Sequence, residues 1–533
     1  WKSGKGLGVL VGCLVAATVI YLVVFFALRF VGKERRTPSI DRVTPIALRA
    51  YTVPLAVAGV IGALTGVSFA SGGSAPPIVD RNPSTATAPS NAGNVLFIVV
   101  DTLRADHLPA YGYTEIQTPN LDAFAADAIR FDQAFANASW TRPSFASILT
   151  GRLPSSHGVM AKPDALADEL VTMPEAFGNA GWETRGIATN FNVAPYFNFH
   201  QGFDRYEYLE PNFVLGADDA AAKLLLVQTL RRVIETVEAK LGRVPPGSAY
   251  QDAEVVNARL TQWLDERREG DRPFFHFVGY MDPHDPYYPH PYDGTGYSRA
   301  ANQRPRPEEA PRLRALYDGE IEFWDGHFGQ LIEDLKRRGL YDDMTIVVTS
   351  DHGEEFCDHG GFWHGVTLYD EQIRVPLFVK LPRGERAGTV VRHWVQSIDL
   401  MPTLLSRFGL EVPDGVQGGS LFAGTDRVYA EESHEGNVLE SVRERRGTDE
   451  WKILTANEGN PRGLRPVEVY RVDFDPREQN DVAPTEREAT VGLMETLVEE
   501  GRNAREGRVE GRAVDLTGDA AERLQAIGYM EEE

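Results

Sequence analysis

The apolar positions of this chain fall into three regimes. Two long uncharged runs stand at the front. Residues 6–28 carry no charge between Lys5 and Arg29, and residues 50–70 form a second such run with Pro54 near its start. A bilayer crossing takes about 20 apolar residues, so both are expected to be transmembrane helices. The first is too long for a signal-peptide core, and no small-residue cleavage site follows it. Residues 71–93 are rich in Ser, Thr, Pro, Gly and Ala and read as a flexible linker.

The second regime is α/β. Continuous apolar runs at Asn94–Asp101, Phe274–Met281 and Thr345–Ser350, with a shorter one at Pro376–Lys380, are patterned as strands buried on both faces. Helical stretches at 118–130, 143–150, 172–180, 217–241, 250–268 and 307–338 alternate with them. That alternation predicts a mostly parallel sheet flanked by helices. From about residue 428 the runs become short and alternating, which predicts a small antiparallel sheet. A helix at 485–505 and a terminal helix at 519–528 follow. The expected plan is a membrane anchor (1–70), a linker (71–93), a catalytic domain (94–425) and a C-terminal subdomain (426–533).

Charge adds an orientation. The loop between the front runs carries Arg29, Lys33, Arg35, Arg36, Arg42 and Arg49 against Glu34 and Asp41. Basic loops stay cytoplasmic, which places everything after the second run outside the cytoplasm; Lys2 and Lys5 argue weakly the other way. The chain has a net charge of −23, and only nine of its 54 basic residues are Lys. An acidic, Lys-poor surface is expected of a protein adapted to high salt, and it disfavours nucleic acid as a partner. The two cysteines, Cys13 and Cys357, make neither a disulfide framework nor a zinc cluster.

The candidate chemistry lies where the predicted strands end. Asp101, Asp282-Pro283-His284 and Asp351-His352 each follow an apolar run, at the strand ends where α/β sheets gather functional groups. Thr141 stands just before a helix with Pro143 in its first turn. A hydroxyl at a helix N-terminus beside a metal makes a nucleophile for an anionic ester. The plainer readings are helix capping for Thr141 and for Asp351-His352, and surface-loop histidines for His284 and His364.

Four segments resemble the sulfatase family of the alkaline phosphatase superfamily. They are Val99–His107, Ser139–Arg152, Met281–Tyr287, and Thr349–Glu355 with Trp363–Gly365. Tyr369–Glu371 with Val375-Pro376, Asp399–Leu405 and Glu522–Tyr529 support them, in family order. The resemblance implies that Asp101, Asp351 and His352 hold one metal, that His284 contacts the bound ester, and that His364 contacts the ester or a second metal. A second Asp that the family often has is Thr102 here.

The nucleophile position falls on Thr141. In the family's sulfatases a Cys or Ser there is oxidised to formylglycine. The β-methyl of Thr would yield a ketone instead, so that route is closed. The signature Arg is replaced by Phe145, and a Gly-Lys segment is absent; Ala188-Thr189-Asn190 stands after Gly181–Gly186. Superfamily members with a Thr nucleophile are metal-dependent phosphodiesterases or phospho-alcohol transferases, which makes Asp101, Thr141, Asp351 and His352 the expected ligand set. The donors suit Mn²⁺, Mg²⁺, Zn²⁺ or Ca²⁺. The expectation is therefore a membrane-anchored, extracytoplasmic hydrolase or transferase of phosphate or sulfate esters. A lipid headgroup or a surface glycan would be within its reach. A true sulfatase and a non-catalytic envelope-binding module are the alternatives.

Overall fold

The computed structural model describes residues 78–81, 84–89, 92–211, 247, 249–268, 270–300, 302–516 and 519–527. The expected membrane spans at 6–28 and 50–70 and the expected helix at 217–241 lie outside them. Among the described residues no helix is long and apolar enough to cross a membrane.

One sheet organises the chemistry. Its strands, in chain order, are β1 (Ile78–Asp80), β2 (Val95–Val100), β3 (Ile129–Phe131), β4 (Glu183–Ala188), β5 (Arg205–Tyr208), β6 (Phe274–Tyr280), β7 (Thr345–Thr349), β8 (Leu377–Lys380) and β9 (Val390–Val391). In space they run β1-β5-β4-β6-β2-β7-β8-β3-β9. The five strands β5-β4-β6-β2-β7 are mutually parallel, with Val95 opposite both Phe275 and Thr345.

Alternate residues of β2 feed two cores. Val95, Phe97 and Val99 pack with Ile148 of α2 (Thr141–Thr150), Phe177 of α3 (Met173–Asn179) and Leu404 of α6 (Leu400–Arg407). Leu96, Ile98 and Val100 pack with Phe124 of α1 (Pro119–Asp127), Trp263 of α4 (Ala253–Glu266) and Trp324 of α5 (Ala310–Arg337). Burying both faces explains why these strands read as unbroken apolar runs. On α5 the buried positions Leu313, Tyr317, Ile321, Trp324, Phe328, Leu331 and Leu335 recur every three or four residues, as one face of a helix requires.

The sheet is mostly parallel, as the alternation predicts, and antiparallel pairings of β1, β8 and β3 make it mixed. The run at Pro376–Lys380 supplies the buried strand β8, antiparallel to β7. One expectation needs correction. Residues 78–80, inside the stretch expected to be a flexible linker, instead pair with β5 as an edge strand. Strands β4 and β5 escape the apolar pattern because their charges are paired: Arg185 bridges Glu183 and Glu266, and Glu207 pairs with Arg205 and Arg259.

The C-terminal part forms a four-stranded antiparallel sheet of β10 (Arg427–His434), β11 (Asn437–Arg446), β12 (Asp449–Ala456) and β13 (Val467–Arg471). Tyr429, Val442, Ile453 and Val469 pack with Leu493 and Leu497 of α7 (Arg487–Ala504). Val428, Ala430, Leu439 and Leu454 join the main core instead. This sheet therefore shares its apolar interior with the catalytic part, and it supplies residues to the site.

Candidate active site

Four parallel strands deliver side chains to one place. Asp101 follows β2, Asn190 follows β4, Asp282–His284 follow β6, and Asp351-His352 follow β7. Helix α2 brings Thr141. The sequence places Thr141 just ahead of this helix, but it is the first helical residue: Trp140 is the extended N-cap, and Gly151 at φ +64° ends the helix in the left-handed region. The positive end of the helix dipole thus lies at the hydroxyl.

The six residues singled out from sequence are all buried, and they converge. Asp101, Asp351 and His352 each offer a ligand atom, all within 4.8 Å of one another. Thr141 Oγ1 lies 3.3 Å from His352 Nε2. The His364 ring centroid is 4.5 Å from that of His352 and 5.0 Å from that of His284. His352 Nδ1 is 2.9 Å from the Gly353 carbonyl; a carbonyl only accepts, so Nδ1 carries the proton and Nε2 keeps its lone pair toward the centre.

These residues fit a divalent cation. Asp101 Oδ1 and Asp351 Oδ2 are buried and accept no hydrogen bond from the described residues. Burial and the neighbouring Asp351 raise Asp101 to about 6. Burial raises Asp351 to about 7, against the backbone N–H groups of His352 and Thr102 that donate to it. Burial lowers His352 to about 4. Two unpartnered carboxylate oxygens and an imidazole lone pair around one point are what a cation compensates, favouring the charged carboxylates and the neutral ring. Thr102 sits at φ +59°, a strained value for a β-branched residue, with its Oγ1 buried and unpartnered among the described residues.

Sequence reasoning missed several participants. Asn190 Nδ2 donates to Asp101 Oδ2 at 2.7 Å and to Thr141 Oγ1 at 3.3 Å, tying the carboxylate cluster to the helix hydroxyl. Its signal was present, since it stands in the segment that departs from the family's Gly-Lys. Glu354 meets His364 Nδ1 at 3.0 Å and accepts from the Tyr287 hydroxyl at 2.9 Å. His434 of β10 packs its ring 4.5 Å from Trp140. Other polar side chains in these segments are spent elsewhere. Asp282 accepts the N–H of Ala253 at the start of α4, Arg152 donates to the carbonyls of Asp414 and Gly507, and Asp106 and Asp358 pair with Arg104.

With this geometry in hand, comparison with known proteins is decisive. The sequence model of the sulfatase family matches residues 93–410, more than half of the chain. The chain is an enzyme of the sulfatase family. A second model, described as N-sulphoglucosamine sulphohydrolase, C-terminal, matches residues 358–502. The ulvan-active sulfatase of Formosa agariphila is 26% identical over 345 residues; the match covers 62% of this chain and 64% of that protein, just under two thirds of its length. The N-acetylglucosamine-6-O-sulfatase of Bacteroides thetaiotaomicron is 22% identical over 73% of this chain and 82% of its own. Among solved structures, the phosphonate monoester hydrolase of Agrobacterium radiobacter shares the fold, with a TM-score of 0.59 and 21% identity over 77% of this chain and 96% of that one.

Proposed function

We propose that this member of the sulfatase family is a metal-dependent ester hydrolase or transferase that uses Thr141 as its nucleophile, on phosphate or phosphonate esters in preference to sulfate esters. One observation carries the reading. The hydroxyl in the nucleophile position opens a helix and lies against the Asp101-Asp351-His352 cluster, and it belongs to a Thr that no oxidation can turn into an aldehyde.

Asp101, Asp351, His352 and Thr141 would hold the cation, which when bound supplies positive charge that lowers the hydroxyl pKa and draws in the anionic ester. The protein's own groups do the rest. Asn190 holds the Thr141 oxygen toward the cluster by its N–H. The oxygen, its proton lost to solvent, attacks phosphorus, the bond to the leaving alcohol breaks, and a phospho-threonine ester forms. The departing alkoxide takes a proton from an imidazole beside it; His284 and His364 flank the centre for that role. Water or an acceptor alcohol then attacks phosphorus, releases Thr141, and returns its proton to the imidazole. Glu354 fixes the His364 ring by its bond to Nδ1.

The second reading is direct sulfate-ester hydrolysis by the unmodified Thr141. The named sulfatases among the relatives favour it. The basic loop between the front runs supports placing the catalytic part outside the cytoplasm, anchored by its N-terminal segment.

The deciding experiment compares hydrolysis of a bis-aryl phosphate, an aryl phosphonate and an aryl sulfate, with and without Mn²⁺, in high salt. Metal-dependent phosphate or phosphonate turnover that Thr141→Ala abolishes is the expected result. Faster sulfate turnover would replace the first reading by the second. No turnover together with no bound metal would leave only a binding module.

A further inference from the structure

The tight turn between β10 and β11 brings a carboxylate to the edge of the site. His434, the last residue of β10, packs against Trp140, and its Cδ2 comes within 3.1 Å of where a Cβ on Gly365 would stand. The turn therefore sits beside both the residue before the nucleophile and the residue after His364. The next residue, Glu435, places Oε1 3.1 Å from Lys162 Nζ and Oε2 3.7 Å from an Arg299 guanidinium nitrogen.

The backbones of both cations are tied to segments of the site. The backbone N–H of Arg299 donates to Asp285 Oδ2 at 2.9 Å, next to His284. The carbonyl of Lys162 accepts a hydrogen bond from the guanidinium of Arg142, next to Thr141. A carboxylate from the C-terminal sheet thus bridges a cation tied to the ester-binding histidine and a cation tied to the nucleophile helix.

Two observations separate this bridge from an ordinary surface ion pair, which contributes little. Arg299 is only 6% exposed, so its charge is largely desolvated, and Glu435 joins the buried Asp285, whose carboxyl also feels that guanidinium, in offsetting it. Glu435 also occupies a costly position. It has φ +52° and is followed by Gly436 at φ +80°, in a two-residue turn closed by the His434–Asn437 pair. Such turns favour Asn, Asp or Gly at the first position, not a long acid. The strained residue is the one whose carboxylate reaches both cations.

Resting on the reading of Thr141 as nucleophile toward an anionic ester, we propose that Lys162 and Arg299 form a subsite for a second anionic group on the same substrate, a sulfate or carboxylate near the scissile ester, and that Glu435 occupies the subsite until that group displaces it. Substrates with one acidic group leave Glu435 in place; those with two exchange it and gain both cations.

The test uses the full chain carrying Thr141→Ala, so that binding is read without turnover, and titrates a size-defined heparin tetrasaccharide by calorimetry. Glu435→Gln should tighten binding by roughly fivefold or more, and Lys162→Ala should weaken it by about tenfold. Glu333→Gln, an exposed neutralisation on α5 with 72% of its side chain accessible, controls for net charge and should change affinity by less than about twofold. Arg299→Lys supplies a milder probe of the buried cation. If Glu435→Gln matches Glu333→Gln, or if no variant binds the tetrasaccharide, the subsite is wrong. Aryl-ester turnover, measured separately with Thr141 intact, keeps the two ideas apart. Turnover without the Glu435 effect removes only the subsite. A Glu435 effect without any ester turnover removes only the nucleophile reading.

Discussion

Thr141 Oγ1 and His352 Nε2 face each other at 3.3 Å across the centre of the site, one from the first turn of a helix and the other from beyond the end of a parallel strand. The distance suits two groups that share a cation, and it sets the first prediction. Thr141→Ala should lower ester turnover by about 10³-fold or more, as loss of a covalent nucleophile does. Thr141→Ser should retain a substantial fraction of activity, because the reacting oxygen survives. A Ser variant as inactive as the Ala variant would show that the hydroxyl does no chemistry.

Asn190 makes a sharper test of geometry. Its N–H groups span Asp101 and Thr141, so Asn190→Ala frees both without removing either. Partners that orient ligands are worth about 10–100-fold in activity or metal affinity. Asn190→Asp would place a carboxylate against the buried Asp101 and should be worse than Ala. Equal and near-native kcat for both variants would reduce Asn190 to packing.

How much of this was legible in the chain depends on what each residue must bury. The strands β2, β6 and β7 carry apolar side chains on both faces, so their runs and the polar residues beyond them stood out. Asp101, His284, Asp351 and His352 were found that way. Strands β4 and β5 carry Glu183, Arg185, Arg205 and Glu207, whose burial depends on ion pairs with other elements; no local pattern announces such pairs. Asn190 was hidden with them, since it follows β4. His434 and Glu435 come from a sheet expected to be a separate subdomain, and only the shared core shows that the sheet reaches the site.

The cluster of Asp101, Asp351 and His352 predicts a dependence on metal that can be read without substrate. Dialysis against a chelator should lower the thermal midpoint and abolish turnover, and added Mn²⁺ or Zn²⁺ should restore both. Without metal, burial and the nearby Asp351 raise Asp101 to about 6, and burial raises Asp351 to about 7. Protons therefore compete with the cation as pH falls through that range. The metal-induced rise in melting temperature should be largest near pH 8 and shrink below pH 6. Asp351→Asn should bind no metal by elemental analysis; full occupancy in that variant would move the ligand set elsewhere.

Stability at alkaline pH should follow His359. Its Nδ1 lies 2.6 Å from Glu371 Oε1 and its Nε2 3.0 Å from the Glu478 carbonyl. Both partners accept, which favours a cationic ring; the Gln479 side-chain amide also lies 3.2 Å from Nε2. Burial alone would lower its pKa, but the short bond to Glu371 reverses this and raises it to about 9. The ordinary value is 6.5, so the folded chain holds this proton more tightly than the unfolded chain does. The stabilisation is complete below pH 6.5 and is lost as pH rises through 9. His359→Gln has no such proton to lose. Its melting temperature should start a few degrees below that of the parent chain at pH 6.5, and the two should converge by pH 9.5. Parallel profiles across that range would mean that the imidazole is neutral in the fold and that its bond to Glu371 is not an ion pair.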